Sequence, residues 1–179
     1  MGNRKIDKII VHHSKSGSET TIDQIDSRQR YKGRDGIGYH YVILSDGKVK
    51  RTRHPNKTGE HCKDNDVGSI GVCVVGNFEL ENMSDKQEVS LFDLLNKLVT
   101  NHKLEWFDVY THKELASNTM CCGESLHKAV MRKRIKESSW LLKGFIVFYS
   151  KYIDGSLVKN TPSNVVVTLK KRTRQTKIV

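Results

Sequence analysis

The apolar positions change period along the chain, and each change marks an element. Ile9, Ile10 and Val11 make an unbroken apolar run within Lys8 to Ser14, the pattern of a strand buried on both faces. Thr21-Ile22-Asp23-Gln24 has the spacing of a capping box, and it predicts a helix that reaches Tyr31 and is ended by Gly33. A strand-like pattern covers Tyr39 to Leu44 and resumes from Lys48. Asp46-Gly47 between the two suits a tight turn with positive φ, so these strands are expected to pair antiparallel. Residues 54 to 67 hold Pro55 and no periodicity, which predicts loop. Ile70, Val72, Cys73, Val74 and Val75 then mark a central strand over Ser69 to Val75.

A second capping box, Ser84-Asp85-Lys86-Gln87, opens the clearest helix, with Leu91, Leu94, Leu95, Leu98 and Val99 as a core-facing stripe up to His102. Phe107 to Thr111 reads as a further strand and Glu124 to Glu137 as a basic helix. Strands that alternate with helices predict an α/β fold: a mixed central β-sheet of about five strands flanked by helices. The 179 residues suit one such domain over 1–139, followed by a short extension over 140–179. In that extension Leu141 to Tyr149 and Val165 to Leu169 read as strands or a short buried helix, separated by turn residues.

Charge adds a second feature. The formal net charge is +11, and eight basic residues against the single acid Asp154 place +7 of it after Trp140. Such a tail attracts anions. No apolar stretch approaches the roughly 18 residues a membrane span needs. The start MGNRKIDKIIVHH lacks the apolar run of a secretory signal, so synthesis in the cytoplasm is expected.

The candidate chemistry rests on His12, which closes the first strand, His112, which follows the strand at Thr111, and Cys121, nine residues further on. Two imidazoles and a thiolate form a three-ligand zinc set that leaves the fourth tetrahedral position open. These ligands cancel only one of the two zinc charges, so the site can acidify water and polarise a carbonyl. Two neighbours compete for the ligand roles. His13 points to the opposite face of the strand if His12 faces the metal, and Cys122 is the rival thiol. His40, beside Tyr39, is expected on the opposite face as a hydrogen-bonded structural histidine. Cys73 reads as core, and the four cysteines are expected as one ligand plus free thiols.

Several strings occur in a fixed order: Gly38-Tyr39-His40-Tyr41, Gly59-Glu60-His61-Cys62, Gly68-Ser69-Ile70-Gly71-Val72 leading to Gly76-Asn77-Phe78, His112-Lys113-Glu114-Leu115, and Cys121-Cys122-Gly123. Over roughly residues 8 to 135 the chain resembles the zinc-dependent type 2 N-acetylmuramoyl-L-alanine amidases, a family of short phage lysozyme-type amidases and animal peptidoglycan recognition proteins. The resemblance implies zinc on His12, His112 and Cys121, an active-site tyrosine at Tyr39 and, two residues before the ligand thiol, Thr119 in a catalytic position that holds Lys or Thr. His61 is expected to contact substrate. The sequence departs from the family in two places: Cys121 lies one residue further from the second histidine than is usual, and Cys122 replaces the proline that normally follows.

What the resemblance implies is hydrolysis of the amide between N-acetylmuramic acid and L-alanine of peptidoglycan by a phage-type endolysin. A monomer is expected, and a small chain without a signal fits an enzyme that reaches the wall once the membrane is permeabilised. The basic tail would then meet an anionic wall polymer or lipid; nucleic acid is not the expected partner. Three alternatives accompany this reading: a non-catalytic peptidoglycan-binding protein, a protein that restrains an RNA polymerase, and a zinc hydrolase turned on another substrate. Non-catalytic members generally lack the cysteine ligand, so Cys121 argues for an enzyme.

Overall fold

A computed structural model of the chain describes residues 4–116 and 118–137. The elements expected over 140–179 and the basic tail lie outside the described residues. The described elements are strands β1 (Lys8–His13), β2 (Tyr41–Ile43), β3 (Val49–Arg51), β4 (Ser69–Val74) and β5 (Val109–Thr111), and helices α1 (Ile22–Tyr31), α2 (Asp85–His102) and α3 (His112–Leu115). A further helix, α4, covers 124–137.

The five strands form one sheet in the order β3-β2-β4-β1-β5. β1 runs parallel to both β4 and β5, and β2 runs parallel to β4. Only β3 is antiparallel, joined to β2 through the turn at Gly47, whose φ is +83°. This is the mixed α/β architecture that the apolar pattern predicts.

Strand alternation assigns the two faces of the sheet. Ile9, Val11, Ile70, Val72 and Val74 belong to one buried cluster with Leu91, Leu95 and Leu98 of α2 and Leu126 and Val130 of α4. Val42, Cys73 and Val75 belong to a second cluster with Ile25 of α1 and Ile37. Burying a leucine such as Leu95 contributes about 2 kcal/mol or more. Both capping boxes form: Thr21 and Gln24 cap each other's backbone at α1, as do Ser84 and Gln87 at α2. Gln87 reaches further, because its Nε2 donates to the Val75 carbonyl at 2.7 Å and ties the start of α2 to the end of β4.

Two expected strands are shorter than their patterns. Tyr39 and His40 precede β2, although the His40 amide still bonds to the Gly71 carbonyl at 2.9 Å. Trp106–Asp108 forms a 3₁₀ turn rather than strand, because Asp108 accepts from the Glu105 amide at 2.9 Å and closes the backbone on itself. Among the described residues no helix is long and apolar enough to cross a membrane.

Candidate metal centre

Parallel strands deliver their carboxyl ends to one edge of the sheet, and a site there draws on several strands at once. His12 is the penultimate residue of β1, held between β4 and β5, and is 1% exposed. His112 opens α3 directly after β5. That single turn is braced by Glu114, whose carboxylate accepts from the Thr111 amide at 2.8 Å and from the Arg134 guanidinium of α4 at 2.8 Å. Cys121 lies on the loop ahead of α4, with its amide donating to Thr119 Oγ1 at 3.1 Å.

These three side chains converge. Each offers one donor atom, and the three donors lie within 4.8 Å of one another. Cys121 Sγ is 3.6 Å from His12 Nδ1. Zinc bonds of about 2.3 Å to sulfur and about 2.0–2.1 Å to nitrogen, meeting at a tetrahedral angle, give an edge of about 3.5–3.6 Å. The donor set and this spacing therefore fit a zinc ion without rearrangement of the pair. The ring centroids of His12 and His112 are 4.7 Å apart, and those of His12 and Tyr39 are 5.2 Å apart.

Burial sets the protonation of the metal-free site. Desolvation, together with the nearby His61 and His112, holds His12 well below the usual imidazole range, and burial likewise lowers His112. Both rings are neutral and ready to donate a lone pair. Burial pushes the Cys121 thiol up to about 12. A metal must therefore displace the thiol proton as it binds. Burial and the nearby Cys73 and Cys121 thiols push the Tyr39 phenol well above its ordinary value, so it remains a hydrogen-bond donor.

His61 occupies a different place from the expected one. A loop position suggested a substrate contact, whereas its side chain is 0% exposed and its Nδ1 lies 3.0 Å from His12 Nε2. The reason is steric. A Cβ at Gly59 or at Gly71 would come within 2.4 Å of the His61 ring, so these two glycines clear the slot in which the imidazole sits. The Asp66 carboxylate fixes the loop by accepting from the amides of His61 and Cys62, each at 2.8 Å.

Other sequence expectations find their places here. His13 points to the α2 and α4 side, where its Nδ1 accepts from the Phe78 amide at 3.2 Å. His40 is fully buried, accepts from the Gly71 amide at 3.0 Å and donates to the Lys57 carbonyl at 2.9 Å. Cys122, the rival ligand, is fully buried in the core cluster under α4, and all four thiols are free. The Glu114–Arg134 brace was not legible beforehand, since two charged residues twenty positions apart carry no periodic signal. Gly71 did carry a signal, because glycine inside an apolar strand marks a close approach.

Fold and site together define a class: an α/β sheet that gathers three side chains able to hold a metal ion at the carboxyl ends of its strands. The sequence model of the N-acetylmuramoyl-L-alanine amidase family matches residues 2–124, and the chain belongs to this family. It is 33% identical over 117 residues to the endolysin of Escherichia phage T7, covering 62% of this chain and 76% of that protein. It is 31% identical over 107 residues to peptidoglycan-recognition protein SD of Drosophila simulans, covering 59% of this chain and only 55% of that protein. Among solved structures, the N-acetylmuramoyl-L-alanine amidase LysC from Clostridium intestinale URNW superposes with a TM-score of 0.64 at 30% identity, covering 69% of this chain and 80% of that one. The Ph2119 endolysin of a Thermus scotoductus bacteriophage gives 0.65 at 25% identity, covering 75% of this chain and 87% of that one.

Proposed function

We propose that the chain is a zinc-dependent N-acetylmuramoyl-L-alanine amidase of the endolysin kind, which cleaves the amide between the lactyl group of N-acetylmuramic acid and L-alanine of peptidoglycan. The observation that carries this reading is the convergence of His12, His112 and Cys121, with sulfur and nitrogen 3.6 Å apart as a shared tetrahedral ion requires. Bound there, zinc would supply Lewis acidity, acidifying a water and polarising the scissile carbonyl.

The remaining chemistry belongs to side chains of this protein. The Tyr39 hydroxyl, kept protonated by its surroundings, donates a hydrogen bond to the carbonyl oxygen as negative charge builds on it. Thr119 spends its oxygen lone pair on the Cys121 amide, which leaves its hydroxyl proton to a substrate oxygen. Glu114 and Arg134 hold the turn of His112 still while the substrate docks. The enzyme acts as a monomer at the bacterial wall, and the basic extension adds attraction to anionic wall polymers or lipids.

The test is direct. Purified protein is analysed for metal and incubated with sacculi, and the products are read by mass spectrometry. One zinc per chain, with free stem peptides bearing an N-terminal alanine and intact glycan strands, is the expected outcome. Metal-bearing protein that binds sacculi without releasing peptide would favour a recognition role.

A further inference from the structure

A directional chain of hydrogen bonds lies behind the metal centre. The Ser69 hydroxyl donates to the Asp66 carbonyl at 3.0 Å, which commits its only proton. Its oxygen is then an acceptor, and His61 Nε2 is 3.4 Å away. With the Ser69 oxygen as acceptor, the His61 imidazole carries its proton on Nε2 and presents a bare lone pair at Nδ1. That lone pair faces His12 Nε2 at 3.0 Å. His12 must accordingly be protonated on Nε2, which leaves its Nδ1 lone pair directed at Cys121 Sγ, 3.6 Å away. The reverse polarity would put a proton on His12 Nδ1 and block the ligand position.

We infer that His61 is a positioning residue of the metal centre: it fixes the tautomer and ring orientation of His12 through the chain Asp66 carbonyl, Ser69, His61, His12. Metal-bound histidines ordinarily donate their second N–H to a carboxylate, carbonyl or water. Here a second imidazole takes that place, and the slot cleared by Gly59 and Gly71 exists to admit it. This assignment rests on the zinc reading of the site.

Two measurements test it. Zinc affinity is determined by chelator competition for the full chain, for His61→Leu and for His61→Asn, whose Oδ1 can reproduce the Nδ1 acceptor. His61→Leu should bind zinc about 10- to 100-fold more weakly, with His61→Asn restoring most of the loss. Equal affinity in wild type and His61→Leu would overturn the proposal. Should His61→Leu fail to fold, long-range ¹⁵N–¹H correlation on the metal-free wild type reads the tautomer of His12 directly. A proton on Nε2 is expected, and a proton on Nδ1 overturns the inference. Failure of the wild type to bind zinc would instead sink the metal-centre reading, so the two failures are separable.

Discussion

Cys121 and Cys122 are neighbours along the chain with different roles. Cys121 shares the centre with His12, whereas Cys122 is fully buried among Phe78, Leu126 and Val130. Serine at the two positions should therefore have opposite effects. Cys121→Ser is expected to lose stoichiometric zinc and all turnover with little change in fold. Cys122→Ser should keep its zinc but lose about 1–3 kcal/mol of stability, because a hydroxyl replaces the thiol in an apolar site. Metal analysis beside urea denaturation distinguishes them. Tyr39 stands against His12 with a phenol held protonated. Tyr39→Phe should retain zinc and fold while turnover falls about 100-fold, the cost of one lost donor to the developing oxyanion. Undiminished turnover would remove Tyr39 from the mechanism.

Strand β4 is the element on which both the core and the site depend. Its register beside β1 aligns Cys73 with His12 and Gly71 with Ile10, so one face of a single strand lines the space behind the first ligand. Gly71→Ala would push a methyl to within 2.6 Å of several His61 ring atoms. Neither the ring nor the strand has room to yield, and a cost of about 1–3 kcal/mol is expected, typical of overpacking. Thermal denaturation of the variant measures it, and an unchanged midpoint would show that the slot is looser than the distances imply. Elements of this kind were largely legible in the chain. The apolar run of β1, both capping boxes and the leucine stripe of α2 are local patterns, and local patterns survive into the fold. The 3₁₀ turn at Trp106–Asp108 was not, because a side-chain bond from Asp108 competes with strand pairing and leaves no mark on hydropathy.

For the protein as a unit, buried histidines couple folding to pH. His40 is fully buried and burial depresses its pKa to about 4. The unfolded chain takes up a proton there near pH 6.5, while the folded chain does not until about pH 4. The contribution of this group is therefore complete above about pH 6.5 and is lost as pH falls towards 4, at about 1.4 kcal/mol for each pH unit. His12, His13 and His61 are depressed in the same direction. Urea unfolding at pH 7 and pH 5 should show a smaller pH effect in His40→Asn than in wild type, and an identical effect would exclude His40 from the linkage.

Composition, period and motif order were enough to specify a mixed α/β sheet and to single out His12, His112 and the Cys121-Cys122 pair, because donor type and strand-end position are properties of the chain as written. Three matters required the folded molecule. One was which of two adjacent thiols joins the histidines, a question of loop conformation. Another was that His61 lies buried behind His12, a ligand 49 positions away, in the space that Gly59 and Gly71 leave for its ring. The last was the polarity of the hydrogen bonds from Ser69 to His12. Each turns on His12 meeting a residue far along the chain, Cys121 or His61, and proximity of that kind is created by packing, which no local pattern encodes.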